Sequence, residues 1–384
     1  MRVSFLLRIL FIGLLFHLYV GLRLLPDLPV GPVWRTISWL WLLASLIVIP
    51  VSARLRNVER TALKVSALVG GLLEMGFFSS LLTLTFARDL MLLALAVFDM
   101  LAGRNWLEAA RPITASAVLG LSVVASAWAV YCARRVAPLK RVVVPIENLP
   151  AGLEGFTIVQ ISDIHVGPTI RRGYLEGVVK AVNAQQADMV AVTGDAIDGP
   201  VARLREHTAP FGDLRARHGV FYVTGNHEYY SGAAQWVDEF RRLGLTVLLN
   251  EHVVIEHRGA PLVIAGITDY TAHHYDPNQR SDPRAAKAGA PQAVSVLLAH
   301  QPLSAPAAAE VGFTLQLSGH THGGQLFPWS LVVKVQQPFV AGLGRLGRMW
   351  VYTSRGTGYW GPPMRLFAPS EITHLTLVRA AAGA

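Results

Sequence analysis

Phe156-Thr157-Ile158-Val159-Gln160-Ile161-Ser162-Asp163-Ile164-His165 is the stretch that decides the reading of this chain. Its β-branched and aromatic residues predict a strand, which stops on an acid and an imidazole one residue apart. The pattern recurs downstream. Met189–Thr193 runs into Gly194-Asp195-Ala196-Ile197-Asp198, and Val220–Thr224 into Gly225-Asn226-His227-Glu228. Val294–Ala299 runs into His300, and Thr314–Ser318 into Gly319-His320-Thr321-His322-Gly323-Gly324. Leu262–Ile267 is a further apolar run, and helical patterns lie between the strands at Tyr174–Ala184 and Ala233–Leu243. Strands alternating with helices predict an α/β sheet system, in which ligand sites gather beyond the carboxyl ends of the strands.

Those strand ends carry Asp, Asn and His, the oxygen and imidazole donors that hard and borderline cations take. In an extended chain the two side chains of Asp-x-His, or of His-x-His, leave on one face a pleat apart, so each pair is expected to converge. Glycines beside them let the backbone turn sharply and come close. Any one piece is weak, because Gly-Asp commonly marks a turn and a lone buried histidine commonly serves the core. Their strength lies in their order, each after a strand.

In that order the motifs resemble the calcineurin-like metallophosphoesterase superfamily, over Phe156 to Leu377. Ser354-Arg355-Gly356-Thr357-Gly358, with Pro362-Pro363-Met364-Arg365, resembles its branch of bacterial membrane-anchored phosphodiesterases. The resemblance implies two packed β-sheets flanked by helices and two divalent metal ions (Mn, Fe or Zn). It implies Asp163, His165 and His322 on the first ion, Asn226, His300 and His320 on the second, and Asp195 bridging both. It places His227 beside the substrate phosphate as the catalytic partner. Two cations about 3.5–4 Å apart acidify a bridging water, and the resulting hydroxide attacks phosphorus in line. His227 would stabilise developing charge or protonate the leaving group; its structural alternative is a hydrogen bond that holds Asn226. Asp198 is expected to support a ligand or to cap a helix.

Other residues carry less. Arg171 and Arg172 suit a phosphate grip or a solvated helix start. His273 and His274 read as loop residues, Arg355 as a rim residue, and Tyr229 and Tyr230 as channel or packing residues.

Outward from this domain, the apolar residues crowd the first third of the 384-residue chain. Val3–Leu25, Val33–Ala53, Val65–Ala87 and Ile113–Ala133 each meet the ~20 residues that a bilayer core requires. Leu90–Ala102, with Asp99, is shorter and reads as a re-entrant piece or a thin span. The first run is longer than a signal-peptide core and more runs follow it, so an uncleaved span is expected. Residues 1–135 are thus expected to be a multi-span transmembrane region with four or five spans. Residues 136–153, with Pro138, Pro145 and Pro150, form a linker or a lead-in strand, and residues 154–384 form the catalytic domain.

The net charge of +9 fits basic helix ends better than a nucleic-acid surface, since no basic block with interleaved aromatics exists. Arg54, Arg56, Arg60 and Lys64 after the second run, and Arg134, Arg135, Lys140 and Arg141 after the last, favour the cytoplasm for both flanks and so four spans. A bacterial inner membrane is the expected location. Cys132 alone excludes an intrachain disulfide framework and a cysteine zinc site.

The expected function is a membrane-anchored phosphodiesterase or pyrophosphatase acting on a phosphoester, with a lipid-linked or envelope substrate suggested by the anchor alone. Neither nucleic acid nor a protein partner is expected. A non-catalytic scaffold would have lost ligands. A sensor or transporter would rest only on Glu74 and Asp99 near the spans.

Overall fold

The computed structural model describes residues 3–54 and 62–380. The chain divides into two compact units, Met1–Cys132 with Gly361–Leu366, and Ala133–Trp360 with Phe367–Ala384.

The first unit is helical: α1 (Val3–Leu24), α2 (Pro32–Arg54), α3 (Ala62–Ala102) and α4 (Trp106–Arg134), whose last residues belong to the second unit. All four are long and apolar enough to cross a membrane. Large apolar side chains such as Trp34, Leu40, Leu93 and Val124 face outward, as they do on helices solvated by lipid. The five apolar runs therefore make four helices among the described residues. Leu90–Ala102 is not a separate piece, because α3 continues through Arg88-Asp89 for 41 residues.

The physical reason is that the charges interrupting the hydropathy are satisfied inside the bundle. Arg88 is buried. It pairs with Asp27 and donates to the carbonyls of Arg23 at 2.8 Å and Arg111 at 3.0 Å, and to Thr114 Oγ1 at 2.9 Å. Asp89 takes Arg23 and the Tyr19 hydroxyl, both at 2.8 Å. No glycine or proline stands there to break the helix. Of the basic loop read after the second run, Arg56 and Arg60 lie outside the described residues.

The second unit is built on two six-stranded sheets. The first has the order β1 (Leu139–Ile146), β12 (Ile372–Arg379), β2 (Thr157–Ile161), β3 (Met189–Thr193), β4 (Val220–Val223), β5 (Thr246–Val247). The second has β10 (Gly342–Leu346), β11 (Met349–Thr353), β9 (Leu315–Ser318), β8 (Val294–Leu298), β7 (Ala260–Gly266), β6 (Glu251–His257). Helices α5 (Arg172–Asn183), α6 (Val201–Thr208) and α8 (Ala233–Arg242) cover the first sheet, while α9 (Pro283–Lys287) and α10 (Ala305–Val311) cover the second. Two further helices, α7 (Asn226–Ser231) and α11 (Trp329–Gln336), follow β4 and β9.

Period-two alternation inside the apolar runs assigns the layers. Ile158, Met189 and Ala191 meet Leu262, Ile264, Val296 and Leu317 between the sheets. Val159, Ile161, Val190 and Val192 meet Leu175, Trp236 and Phe240 of the outer helices. Strands buried on both faces read as unbroken apolar stretches, so the sequence shows them clearly. The expected two-sheet architecture flanked by helices is the one observed.

Two features differ from a simple α/β reading. Leu139–Ile146 is no free linker; it is an edge strand paired in parallel with β12. The C-terminal β12 enters the first sheet beside β2 and runs antiparallel to it. The centre of that sheet, β2-β3-β4, is parallel, so those three carboxyl ends share one edge.

Candidate metal centre

Every residue proposed as a ligand stands just past a strand. Asp163 and His165 follow β2, Asp195 follows β3, and Asn226 opens α7 after β4; His300 follows β8, and His320 and His322 follow β9. Six of the seven fall into overlapping groups of close donors: Asp163, His165 and His322; Asp195, His300 and His320; and His165, Asp195 and His227. His165 Nε2 lies 3.1 Å from His322 Nε2, and His320 Nδ1 lies 3.2 Å from His300 Nε2. Asp195 Oδ2 is 3.3 Å from His300 Nε2 and 3.8 Å from both His165 Nε2 and His227 Nε2. Asp195 is thus the carboxylate that both sides of the cluster share.

The convergence does not come from an extended pleat. Asp163, His165, Asp195, His320 and His322 all have left-handed backbones, with φ between 50° and 69°. Such conformations cost non-glycine residues about 1–3 kcal/mol each and persist only where the surroundings enforce them. Here the two loops after β2 and β3 are stitched together. Asp163 N donates to Gly194 O at 3.0 Å, His165 N to Asp195 O at 3.0 Å, and Asp198 N to Val166 O at 2.8 Å. Between the paired donors, Ile164 packs into the core beneath the outer helices, and Thr321 Oγ1 donates to the Val340 carbonyl at 2.6 Å.

The glycines act by absence. A Cβ on Gly225 would lie 2.2 Å from Asp195 Oδ1, and one on Gly319 would lie 2.2 Å from Asp163 Oδ2. The backbone therefore comes close enough for the His227 and His320 amides to donate to those carboxylates. His227 N reaches Asp195 Oδ1 at 2.9 Å, and His320 N reaches both oxygens of Asp163 at 3.0 Å.

Ring orientation is set from behind. His300 Nδ1 donates to the Thr193 carbonyl at 2.8 Å, which leaves Nε2 facing the cluster. Asp198 Oδ1 accepts from His227 Nδ1 and lies 3.3 Å from His165 Nδ1. Asp198 therefore supports two rings and caps no helix, since Pro200 precedes α6. Tyr230 and Trp360 flank the His227 ring at 5.0 and 5.8 Å, and both are substantially exposed.

The family profile described as calcineurin-like phosphoesterase matches residues 156–324. A "Transmembrane protein with metallophosphoesterase domain" of Bos taurus is 40% identical over 249 residues, 62% of this chain and 56% of that protein. An uncharacterized metallophosphoesterase of Helicobacter pylori is 38% identical over 223 residues, 58% of this chain and 59% of that one. One from Aquifex aeolicus is 32% identical over 242 residues, 62% of this chain and 91% of that one. The chain belongs to the calcineurin-like metallophosphoesterase family. It spans little more than half the length of the bovine and Helicobacter relatives.

The donor set fits the divalent ions that this family implies. Asp163, Asp195 and Asp198 put three carboxyls into a buried site, which demands compensating positive charge. Burial alone would raise the Asp195 carboxyl, yet His300 and His227 hold it well below its ordinary range. Burial likewise opposes charge on His227, but Asp195 and Asp198 lift it to about 9. Burial and then His300 push His320 down to about 4, so it presents a neutral imidazole. Asn226 Oδ1 is buried with no hydrogen-bond partner. An oxygen left unpaired in a buried polar site costs about 1–3 kcal/mol, and a cation would satisfy it.

Two residues had no role assigned from sequence. Glu228 is fully buried. Its Oε2 accepts from Gly225 N at 2.6 Å and Asp195 N at 3.0 Å, and its Oε1 accepts from Ala196 N at 2.9 Å. It ties the loops after β3 and β4 together under Asp195. Its adjacency to Asn226-His227 was the available signal. Asp269, after β7, holds Gln301 beside His300 with contacts of 3.0 and 3.2 Å, and nothing in its local sequence marks it.

The lesser expectations divide. Arg172 pairs with Glu176 on an exposed helix start. Arg355 pairs with Glu371. His273 and His274 contact each other and join none of the donor groups found among the described residues. Tyr229 is bonded to Thr224 at 3.3 Å, so it packs, while Tyr230 sits against His227.

Proposed function

We propose that this chain is a membrane-anchored, metal-dependent phosphoester hydrolase, a phosphodiesterase or pyrophosphatase, with a binuclear centre. The observation that carries the reading is the buried carboxylate Asp195, shared between two groups of imidazole and carboxylate donors. Asp163, His165 and His322 would hold one ion, and Asn226, His300 and His320 the other, with Asp195 common to both. Bound there, divalent ions supply Lewis-acid stabilisation of phosphoryl oxygens and acidify water toward neutral pH.

The chain's own residues do the rest. His227, held toward its charged form by Asp195 and Asp198 and fixed by Asp198, presents Nε2 3.8 Å from Asp195 Oδ2, where it would stabilise anionic oxygens or donate a proton to the leaving group. Glu228 and the close approach of Gly225 hold Asp195 at a fixed depth. Tyr230 and Trp360 offer an aromatic mouth for the ester substituent.

Four membrane-length helices on the same chain support a substrate carried at the bilayer, such as a lipid-linked phosphodiester or diphosphate. Basic residues at Lys64, Arg134 and Arg135 support a cytoplasmic location for the chain from Ala133 onward. The test uses the full chain in detergent with an aryl phosphodiester. Activity should vanish on chelation, return with Mn²⁺, and stay absent in Asp195→Asn. Metal-independent turnover, or full turnover by Asp195→Asn, sinks the proposal. A C-terminal reporter fusion tests the side of the membrane.

A further inference from the structure

At the opposite pole of the same unit, a second histidine pair meets a carboxylate. Asp188 directly precedes β3, His218 lies two residues before β4, and His257 ends β6. Asp188 and His218 thus lie at the amino ends of the parallel strands β3 and β4, and His257 pairs with Ala260 at the amino end of β7, away from the carboxyl ends that carry the candidate metal centre. We propose that Asp188, His218 and His257 form a further divalent-cation site, suited to Zn²⁺, that ties the first sheet to the second.

Three observations support it. The donor atoms converge: His218 Nε2 is 2.9 Å from His257 Nδ1, which is 3.8 Å from Asp188 Oδ1, and all three lie within 4.8 Å of one another. Ligand atoms around a tetrahedral Zn²⁺ with ~2.0 Å bonds stand about 3.3 Å apart, and the two observed spacings bracket that value.

The ligands are also held from outside. Thr157 N and its hydroxyl both donate to Asp188 Oδ2 at 2.9 Å, which turns Oδ1 toward the histidines. His218 N donates to Asp188 O at 2.7 Å, locking the two backbones together. Phe156 packs against both rings, with centroids at 6.0 and 5.0 Å. Outer partners that orient ligands in this way are the usual support of a metal site.

The third observation is chemical. Two imidazoles and one carboxylate favour Zn²⁺ over Mg²⁺ or Ca²⁺. Arg217 and Arg258 oppose the cation, which points to a weaker site than the catalytic one. Asp188 and His218 are only half-buried, so water can reach a fourth position. The competing arrangement, a plain imidazole–imidazole hydrogen bond, leaves Asp188 Oδ1 facing His257 at 3.8 Å, beyond bonding distance.

The experiment is independent of the catalytic reading. Full-length chain in detergent is stripped with chelator, equilibrated with low-micromolar free Zn²⁺, and its bound zinc counted by mass spectrometry. Compared with the unaltered chain, His257→Ala and Asp188→Asn should each hold one zinc fewer, with phosphodiester turnover unchanged. Asp188→Asn guards against misfolding, because its amide oxygen keeps the Thr157 hydrogen bonds while its NH₂ group faces the site. Equal zinc content in the unaltered chain and folded Asp188→Asn overturns the proposal and leaves a hydrogen-bonded pair.

Discussion

Gly225→Ala tests whether the depth of Asp195 matters apart from its charge. Gly225 has φ −100° and ψ −175°, which alanine adopts without strain, so the substitution acts only through its new methyl group. That methyl would lie 2.2 Å from Asp195 Oδ1, 2.6 Å from its backbone nitrogen and 2.9 Å from Cγ. Ordinary contact begins near 3.4 Å. Either Asp195 or the start of α7 must retreat by about 1 Å, a misplacement that costs about 10²-fold in rate. That corresponds to about 2.7 kcal/mol of barrier. The carboxylate cannot swing aside freely, because Glu228 holds its amide at 3.0 Å and His227 N holds its Oδ1 at 2.9 Å. Overpacking of this kind also lowers stability by about 1–3 kcal/mol. The assay is kcat/KM for an aryl phosphodiester with saturating Mn²⁺, alongside metal content and thermal unfolding. Gly219→Ala is the control; its Cβ meets nothing within 4 Å although φ is +96°, so it should cost stability without touching turnover. A Gly225→Ala variant with normal turnover and metal content would refute the claim that Asp195 works only in this position.

Further predictions concern the supporting residues. Asp198→Asn, which weakens the hold on both His227 and His165, should reduce turnover by about 10–100-fold while the protein stays folded; an unchanged rate would remove Asp198 from the machinery. Glu228→Gln turns an NH₂ group toward at least one of the three backbone amides that now share the carboxylate, so unfolding should cost about 1–3 kcal/mol less. An unshifted denaturant midpoint would contradict that. Arg88→Leu strands Asp27 in the helical unit, where its side chain is 22% exposed. That remaining water contact places the loss at the lower end of about 3–5 kcal/mol. Thermal unfolding in detergent should show it, with partial recovery in Arg88→Leu/Asp27→Leu; a double variant no better than the single one would contradict the pairing.

What the sequence determined by itself was local. Strands buried on both faces, such as Val190–Val192 and Val296–Leu298, appear as apolar runs because each residue reports its own burial. The donors that end those runs are visible for the same reason, as are helices long enough to cross a bilayer. What only the tertiary structure decided depends on residues far apart in the chain. His165 meets His322 across 157 positions, and the approach relies on left-handed backbones that no run of residue types announces. β12 finds its place between β1 and β2 through pairing with strands more than 200 positions earlier, Ile372 with Leu139 and Thr373 with Gln160. α3 runs unbroken because Arg88 finds Asp27, 61 positions earlier. Glu228 looked like one more acid after a histidine, and its importance lies in three amides that folding brings to it. Patterns along the chain report how each residue meets solvent or core; the meeting of two loops is a property of the packed sheets, and it is there that a list of donors becomes a centre.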